Sequence, residues 1–271
     1  GHMSDVANWW RTSIIDMEPG RISIRGHAIE DLIGRLSFVE MIWLMLRGSI
    51  PQPEQAKLLE AALVGAVDHG PQAPSIAAAR MAVTCGLGLN GAMGTAIHML
   101  DDIHGGAGQQ LVEWLYQLRD GAWVDEGLSK QIRTYQKEVN RFIPGFGHRF
   151  HKPSDPRAPR LMQMLSEAQA HDVVSGEFMT IGLALEKELA AQKGKPVPMN
   201  IDGATAILLA ELGFAPELAR GLFCLSRSVG AMAHAFEQME QGGRNKGPTP
   251  PHYRWTYEGQ EKPKTDERDR I

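Results

Sequence analysis

From residue 38 to residue 241 the apolar side chains of this chain recur at helical spacing, and that periodicity limits the fold more than any other feature. Ser37 stands before residues 38–47 with Glu40 three positions on, the pattern of a capping box, and Gly48 with Pro51 beyond it stops the segment. Pro53 opens a second helix over 54–66. Further helices are expected over 75–84, 91–100, 109–120, 126–139, 160–170, 175–193, 203–212 and 216–241. Only 21–25, Arg-Ile-Ser-Ile-Arg, reads as a strand, in a short hairpin or an extended arm. The expectation is an all-α chain, some of whose helices are apolar on most sides and covered by a second subunit. The Gly- and Ala-rich stretch 86–94 is the candidate for that contact, since small residues let backbones approach closely.

Composition removes several classes of function. The chain has 271 residues, 43% of them apolar, which is ample for a core without disulfide or metal staples. A net charge of −4 offers no basic field to nucleic acid or to an anionic membrane. Two cysteines, Cys85 and Cys224, cannot build a disulfide scaffold or a zinc or iron–sulfur site, and their apolar neighbours suggest buried core thiols. The 10 histidines include no i, i+4 pair, so no metal is expected. Gly1-His2-Met3 reads as a cloning remnant, and 4–21 mixes charges with apolar residues, unlike a secretory segment. The longest apolar stretch, 39–46, falls far short of the roughly 20 residues of a membrane span, so a cytoplasmic location is expected. No P-loop glycine motif is present.

Four places set reactive side chains beside helix breakers, where they can face a cleft. They are Asp68-His69-Gly70-Pro71, Ile103-His104-Gly105-Gly106, Pro144-Gly145-Phe146-Gly147-His148 and Asn200-Ile201-Asp202-Gly203. Each alone is weak, because a histidine beside glycine is more often a structural loop residue. Together they put three histidines and an aspartate in apolar surroundings. Arg227 lies on an apolar helical stretch, where an unpaired charge is costly, so it meets a buried protein carboxylate or a ligand carboxylate, with the ligand favoured.

The string from Pro144 to Arg157, Pro-Gly-Phe-Gly-His-Arg-Phe-His-Lys-Pro-Ser-Asp-Pro-Arg, resembles the signature segment of the citrate synthase family. Other landmarks follow in order: Ile24-Arg25-Gly26-His27 and Arg47-Gly48-Ser49-Ile50-Pro51, His104-Gly105-Gly106, Asn200-Ile201-Asp202-Gly203, and Ser226-Arg227-Ser228. The resemblance covers about 20–259, nearly the whole chain. Between Pro51 and His104 the chain is shorter than a usual citrate synthase and resembles the compact citryl-CoA lyase branch, including the C-terminal lyase module of ATP citrate lyase. Unlike that module it keeps a histidine at His104, and it carries no ATP-grasp or phosphohistidine region.

The resemblance implies a citrate synthase-like fold, a large and a small helical domain around a cleft, forming dimers with sites completed across the interface. It divides the chain into an arm at 4–19, a large domain from 20–145 and 204–259, a small CoA-side domain at 146–203, and a flexible charged tail at 260–271. It implies cleavage of citryl-CoA, or a close 3-hydroxy-3-carboxyacyl-CoA, to acetyl-CoA and oxaloacetate. His148 then acts at the hydroxyl, His104 hydrogen-bonds the thioester oxygen, and Asp202 exchanges the proton with the enolate carbon. An aspartate after Met199-Asn200-Ile201 is expected to have a raised pKa, and the other role open to Asp202 is capping the helix 203–212. His69, Arg157 and Arg227 take the hydroxy or keto acid, planar guanidinium being the match for carboxylate. Gly145, Phe146 and Gly147 approach CoA, and Lys152, with Arg149 and His151 near it, meets its phosphates; a solvated basic loop is the alternative for the latter two.

Citrate synthases usually add an arginine from the neighbouring subunit through an Arg-Pro-Arg segment. Here the corresponding stretch is Pro250-Pro251-His252-Tyr253-Arg254, and either Arg254 or His252 takes that place. No tightly bound cofactor is implied, CoA being substrate or product, and a separate citryl-CoA synthetase is an optional partner. Two other readings remain. One is a compact citrate or 2-methylcitrate synthase, because making and breaking the bond share one transition state. The other is a non-catalytic CoA- or citrate-binding protein, against which stands the retention of His104, His148 and Asp202.

Overall fold

The computed structural model describes residues 3–147 and 155–263. Its elements are α1 (Met3–Ala7), the strands β1 (Ile15–Glu18), β2 (Arg21–Ile24) and β3 (His27–Ala28), then α2 (Ile29–Leu32), α3 (Phe38–Arg47), α4 (Pro53–Gly65), α5 (Pro74–Thr84) and α6 (Leu89–His98). They continue with α7 (Ala107–Asp120), α8 (Asp125–Glu138), α9 (Arg157–Ala170), α10 (Glu177–Lys193), α11 (Ile201–Glu211) and α12 (Pro216–Gln241). The strand read at 21–25 is the centre of a three-stranded antiparallel meander, pairing Ile24 with Ile15 on one side and with His27 on the other.

Local chemistry sets the helix ends. The Ser37 hydroxyl accepts the Glu40 amide (3.2 Å), the Glu40 carboxylate accepts the Ser37 amide (2.9 Å), and α3 stops at Gly48 with φ 81°. Proline takes the first position of α4, α5 and α12, where its missing N–H has no intrahelical partner to lose. The helix expected to begin at 160 begins at Arg157 instead. Pro159 is no barrier there, because amides of a first turn are unpaired in any case.

α11 is the innermost helix. Ile201, Ala204, Ile207 and Leu208 are all buried, and it packs against α4, α7, α9 and α10. Burying each large aliphatic side chain contributes about 1.5–3 kcal/mol, so a helix apolar on every side is stable only in such surroundings. Arg47 ties α3 to the far end of α11, donating to the Leu212 carbonyl (2.8 Å) with its guanidinium 4.7 Å from the Phe214 ring centroid.

A second core joins α5, α6 and α12 through small residues, with Ile76, Ala79, Ala92, Ala96, Ala231 and Ala235 fully buried. Along α12, Leu225, Val229, Met232, Phe236 and Met239 form a stripe 38 to 53% exposed, alternately four and three residues apart. The cysteines are not the buried thiols expected. Cys85 is exposed because it caps α5 where the helix gives way to Gly86, and Cys224 is half-buried. Among the described residues no helix is long and apolar enough to cross a membrane.

Candidate active site

α12 lies across the turn that follows α4. A Cβ at Gly230 would stand 2.1 Å from the Val67 carbonyl oxygen, so only glycine allows this approach. Next to it the Ser226 hydroxyl donates to the Leu63 carbonyl and Arg227 Nε to the Ala66 carbonyl (3.0 Å). Arg227 is 4% exposed, its guanidinium rests over the Phe223 ring, and no ion-pair partner stands against it among the described residues. Burial pulls its pKa down, the charges of Asp202 and Asp68 pull it up, and Arg157 lowers it further.

The second guanidinium is differently placed. Asp155, 1% exposed, accepts Arg157 Nε and Nη2 (both 2.9 Å) in a bidentate pair, together with the Arg157 amide (3.0 Å) and the Ile201 amide (3.2 Å). Burial would raise the Asp155 carboxyl, but these hydrogen bonds and the Arg157 charge hold it below the usual carboxylate range. Arg157 Nη2 also reaches His69 Nδ1 (3.3 Å). A guanidinium only donates, so Nδ1 is an acceptor and the proton of the neutral ring sits on Nε2.

His104 rides on the loop between α6 and α7. Arg220 of α12 anchors that loop through Asp101 (2.9 Å) and Asp102 (2.7 Å), and Ile103 is wholly exposed. His104 Nε2 accepts the Ser75 amide in the first turn of α5 (3.3 Å) and lies 2.9 Å from the Ser75 hydroxyl. The neutral tautomer therefore carries its proton on Nδ1. Burial first, and the Arg227 charge second, lower the His104 pKa.

The chain at 144–147 docks onto the start of α11 by backbone contact. The Gly147 amide donates to the Pro198 carbonyl (2.7 Å), the Asn200 amide to the Gly145 carbonyl (3.0 Å), and the Asn200 side-chain amide to the Gly147 carbonyl (2.7 Å). Gly145, with φ +90°, and Gly203 meet face to face: a Cβ on Gly203 would lie 2.2 Å from the Gly145 oxygen. The N-cap of α11 is Asn200, which accepts the Gly203 amide (3.1 Å), so Asp202 sits in the first turn rather than in the capping place open to it.

One cluster thus gathers His69, Arg157, Arg227, His104 and Asp202 from the turn after α4, from α9, α12, the α6–α7 loop and α11. It joins a neutral hydrogen-bond donor to a buried guanidinium and a carboxyl group, the set needed to hold an acidic substrate while negative charge develops on a neighbouring oxygen. Gly145 is buried, and Phe146 and Gly147 are half-buried beside Met199 and Val197. His148, Arg149, His151 and Lys152 lie outside the described residues, as does the tail from Lys264 on. Arg254 belongs to the exposed stretch after α12, beside Trp255, and within one chain bonds to none of the cluster among the described residues. Asp155, Ser75, Asn200 and Arg220 were not singled out from the sequence. Only Asp155, inside the Asp-Pro-Arg string, and Asn200, three residues before Gly203, carried a local signal. Among the described residues no group of three or more His, Cys, Asp or Glu could hold a metal ion.

The family model for the citrate synthase C-terminal domain matches residues 45–249. Citrate synthases from Acidithiobacillus ferridurans and Haloferax volcanii are 28% and 29% identical to the chain, over 75% and 72% of it and 52% and 50% of themselves. The chain thus spans about half the length of the curated relatives it matches. Among solved structures, citryl-CoA lyase from Hydrogenobacter thermophilus is similar with a TM-score of 0.84 and 29% identity, over 97% of this chain and 100% of that one. ATP citrate lyase from Methanothrix soehngenii shares the fold with a TM-score of 0.78 and 21% identity, over 96% of this chain and 44% of its own.

Proposed function

The chain belongs to the citrate synthase family, and we propose that within it the protein is a citryl-CoA lyase, yielding acetyl-CoA and oxaloacetate. The observation that carries the proposal is Arg227, a buried guanidinium without an ion-pair partner among the described residues, beside the neutral imidazole of His104. The Asp202 and Asp68 charges offset part of the cost of that burial, and a carboxylate of oxaloacetate or citryl-CoA would add charge-assisted hydrogen bonds to it.

In this reaction a base takes the proton of the tertiary hydroxyl, and the ketone of oxaloacetate forms as the carbon–carbon bond breaks. The electron pair of that bond passes into the thioester as an enolate, whose oxygen receives a hydrogen bond from His104 Nδ1–H. The Asp202 carboxyl then delivers a proton to the enolate carbon and completes acetyl-CoA. His148 is assigned the hydroxyl proton by family resemblance. Arg227 is the principal carboxylate receptor; Arg157, bound bidentately to Asp155 and reaching His69 and the Gly65 carbonyl with its outer edge, orients His69 and adds positive charge where the acid binds. Gly145, Phe146, Gly147 and Lys152 are assigned to the CoA side, and Arg254 to the neighbouring subunit's site. The exposed stripe of α12 supports a homodimer, and 86–94 remains the second candidate for that contact. A separate synthetase has no support and is not part of the proposal.

The lyase is preferred to a synthase because the likeness to the Hydrogenobacter thermophilus lyase, with a TM-score of 0.84 and 29% identity, is stronger than that to the citrate synthase from Thermotoga maritima, with a TM-score of 0.61 and 19% identity over similar coverage. The second reading, a compact citrate synthase, draws on the names of the sequence relatives. Citryl-CoA added with malate dehydrogenase and NADH separates the two. Oxaloacetate formation without free thiol supports the lyase, and thiol release from acetyl-CoA plus oxaloacetate supports the synthase. Asp202→Asn should abolish either turnover while CoA binding stays within about threefold, and unchanged activity would remove Asp202 from the mechanism.

A further inference from the structure

His234 lies two turns beyond Arg227 on the same side of α12 and belongs to none of the assignments above. Its Nε2 is 2.9 Å from Asp68 Oδ2 and its Nδ1 is 2.8 Å from Arg80 Nη1. Guanidinium only donates and carboxylate only accepts, so the ring is neutral, with its proton on Nε2 and directed at Asp68. A second proton on Nδ1 would face the Arg80 N–H. Arg80 is itself held by Glu237 (2.9 Å), Gln241 (2.8 Å) and Gln238 (3.2 Å). The other Asp68 oxygen accepts the Gly70 amide (3.2 Å), so the carboxylate spans the turn that carries His69. Its charge also reaches Arg227.

We infer that His234 is a positioning residue, whose bond to Asp68 shapes the His69 turn and keeps that carboxylate from closing on Arg227, leaving the guanidinium to the carboxylate of the acid substrate. The inference rests on the proposed binding of a keto acid at Arg227. Without His234, Asp68 loses a charge-assisted hydrogen bond and becomes an internal competitor for the substrate's own receptor. Arg80 acts one step further out, by fixing the tautomer.

Calorimetric titration of oxaloacetate and of CoA into the full-length protein tests this. His234→Ala should weaken oxaloacetate about tenfold and leave CoA within about twofold. Asp68→Asn, which keeps the acceptor for Gly70 but removes the charge, should restore at least half of the lost affinity when added to His234→Ala. General loosening of the fold would weaken both ligands and would not be relieved by a second substitution. His234→Gln, which keeps a donor, should stay within about threefold of the parent protein. Arg80→Met, should His234→Ala not fold, should also weaken oxaloacetate selectively. Equal loss of both ligands, unchanged oxaloacetate binding, or no relief in the double variant overturns the inference. If the parent protein binds no oxaloacetate, the proposed function fails first. The ¹⁵N ring resonances then decide the positioning: His69 should shift in His234→Ala, and an unmoved His69 overturns it.

Discussion

Ser75 sets the tautomer of His104. The Ser75 amide points along α5 at Nε2 from 3.3 Å, with the hydroxyl at 2.9 Å, so the imidazole proton is placed on Nδ1. A partly buried histidine that accepts at a helix N-terminus is held neutral, since the positive end of the helix dipole opposes a second proton there.

Burial and then Arg227 keep the His104 pKa below its ordinary 6.5, so the neutral ring needed to support an enolate is in place at pH 7. Because the unfolded chain takes the proton first, His104 contributes stability that is present above pH 6.5 and lost as pH falls through its lowered folded value. Removing the Arg227 charge by Arg227→Met should move the titration upward. Ring NMR titrations of both proteins check this, and an unmoved midpoint would remove Arg227 as a cause.

Arg227→Met should separate binding from stability. Oxaloacetate affinity falls about ten- to a hundredfold as the charge-assisted hydrogen bonds disappear. The melting temperature should change little, because relief of a desolvated charge offsets the lost bond to the Ala66 carbonyl and the lost attraction of Asp202 and Asp68. Calorimetry and a thermal melt on the same sample read both, and a large fall in melting temperature would contradict the assignment.

Asp155→Asn should do the reverse and damage the fold, removing the buried charge that holds the half-buried Arg157 at a cost of about 3 kcal/mol at pH 7. Asp155 titrates below its ordinary 3.8 in the folded chain. Its contribution is therefore complete above pH 3.8 and lost as pH falls through the depressed value. Urea melts at pH 7 and pH 3 should show the gap between parent and variant narrowing on acidification.

The stripe on α12 should be covered by a second copy. Phe236→Glu places a charge in its middle at 53% exposure. In sedimentation velocity the parent should run as a dimer or larger and this variant as a smaller species. A monomeric parent at micromolar concentration would contradict the expectation.

Helix positions were largely readable because their punctuation is local: Pro53, Pro216 and Gly48 act on their own neighbours. The gathering of His69, His104, Asp202, Arg157 and Arg227 was reached through resemblance, since no periodicity joins α4 to α9 or α12. Asp155 escaped because the Ile201 amide that it accepts in the interior is distant in sequence. His234 escaped for a similar reason. On an amphipathic helix it looks like any partly polar position, and its partners Arg80 and Asp68 come from α5 and the turn after α4. Cys85 was misread because apolar neighbours in sequence say nothing about which way a helix end faces.

The contact of Gly145 with Gly203 closes one route of change altogether. Elsewhere in a core, an enlarged side chain can be accommodated by trimming the residue it strikes. Here the nearest atoms struck are backbone on both sides, the Gly203 Cα at 2.7 Å from a Cβ on Gly145 and the Gly145 oxygen at 2.2 Å in return, so trimming Leu111 or Met199 would not make room. Neither residue has anything left to give up. A library selected for suppressors of Gly203→Ala should therefore return reversion, or drift of the whole 144–147 segment, and no compensating substitution at position 145.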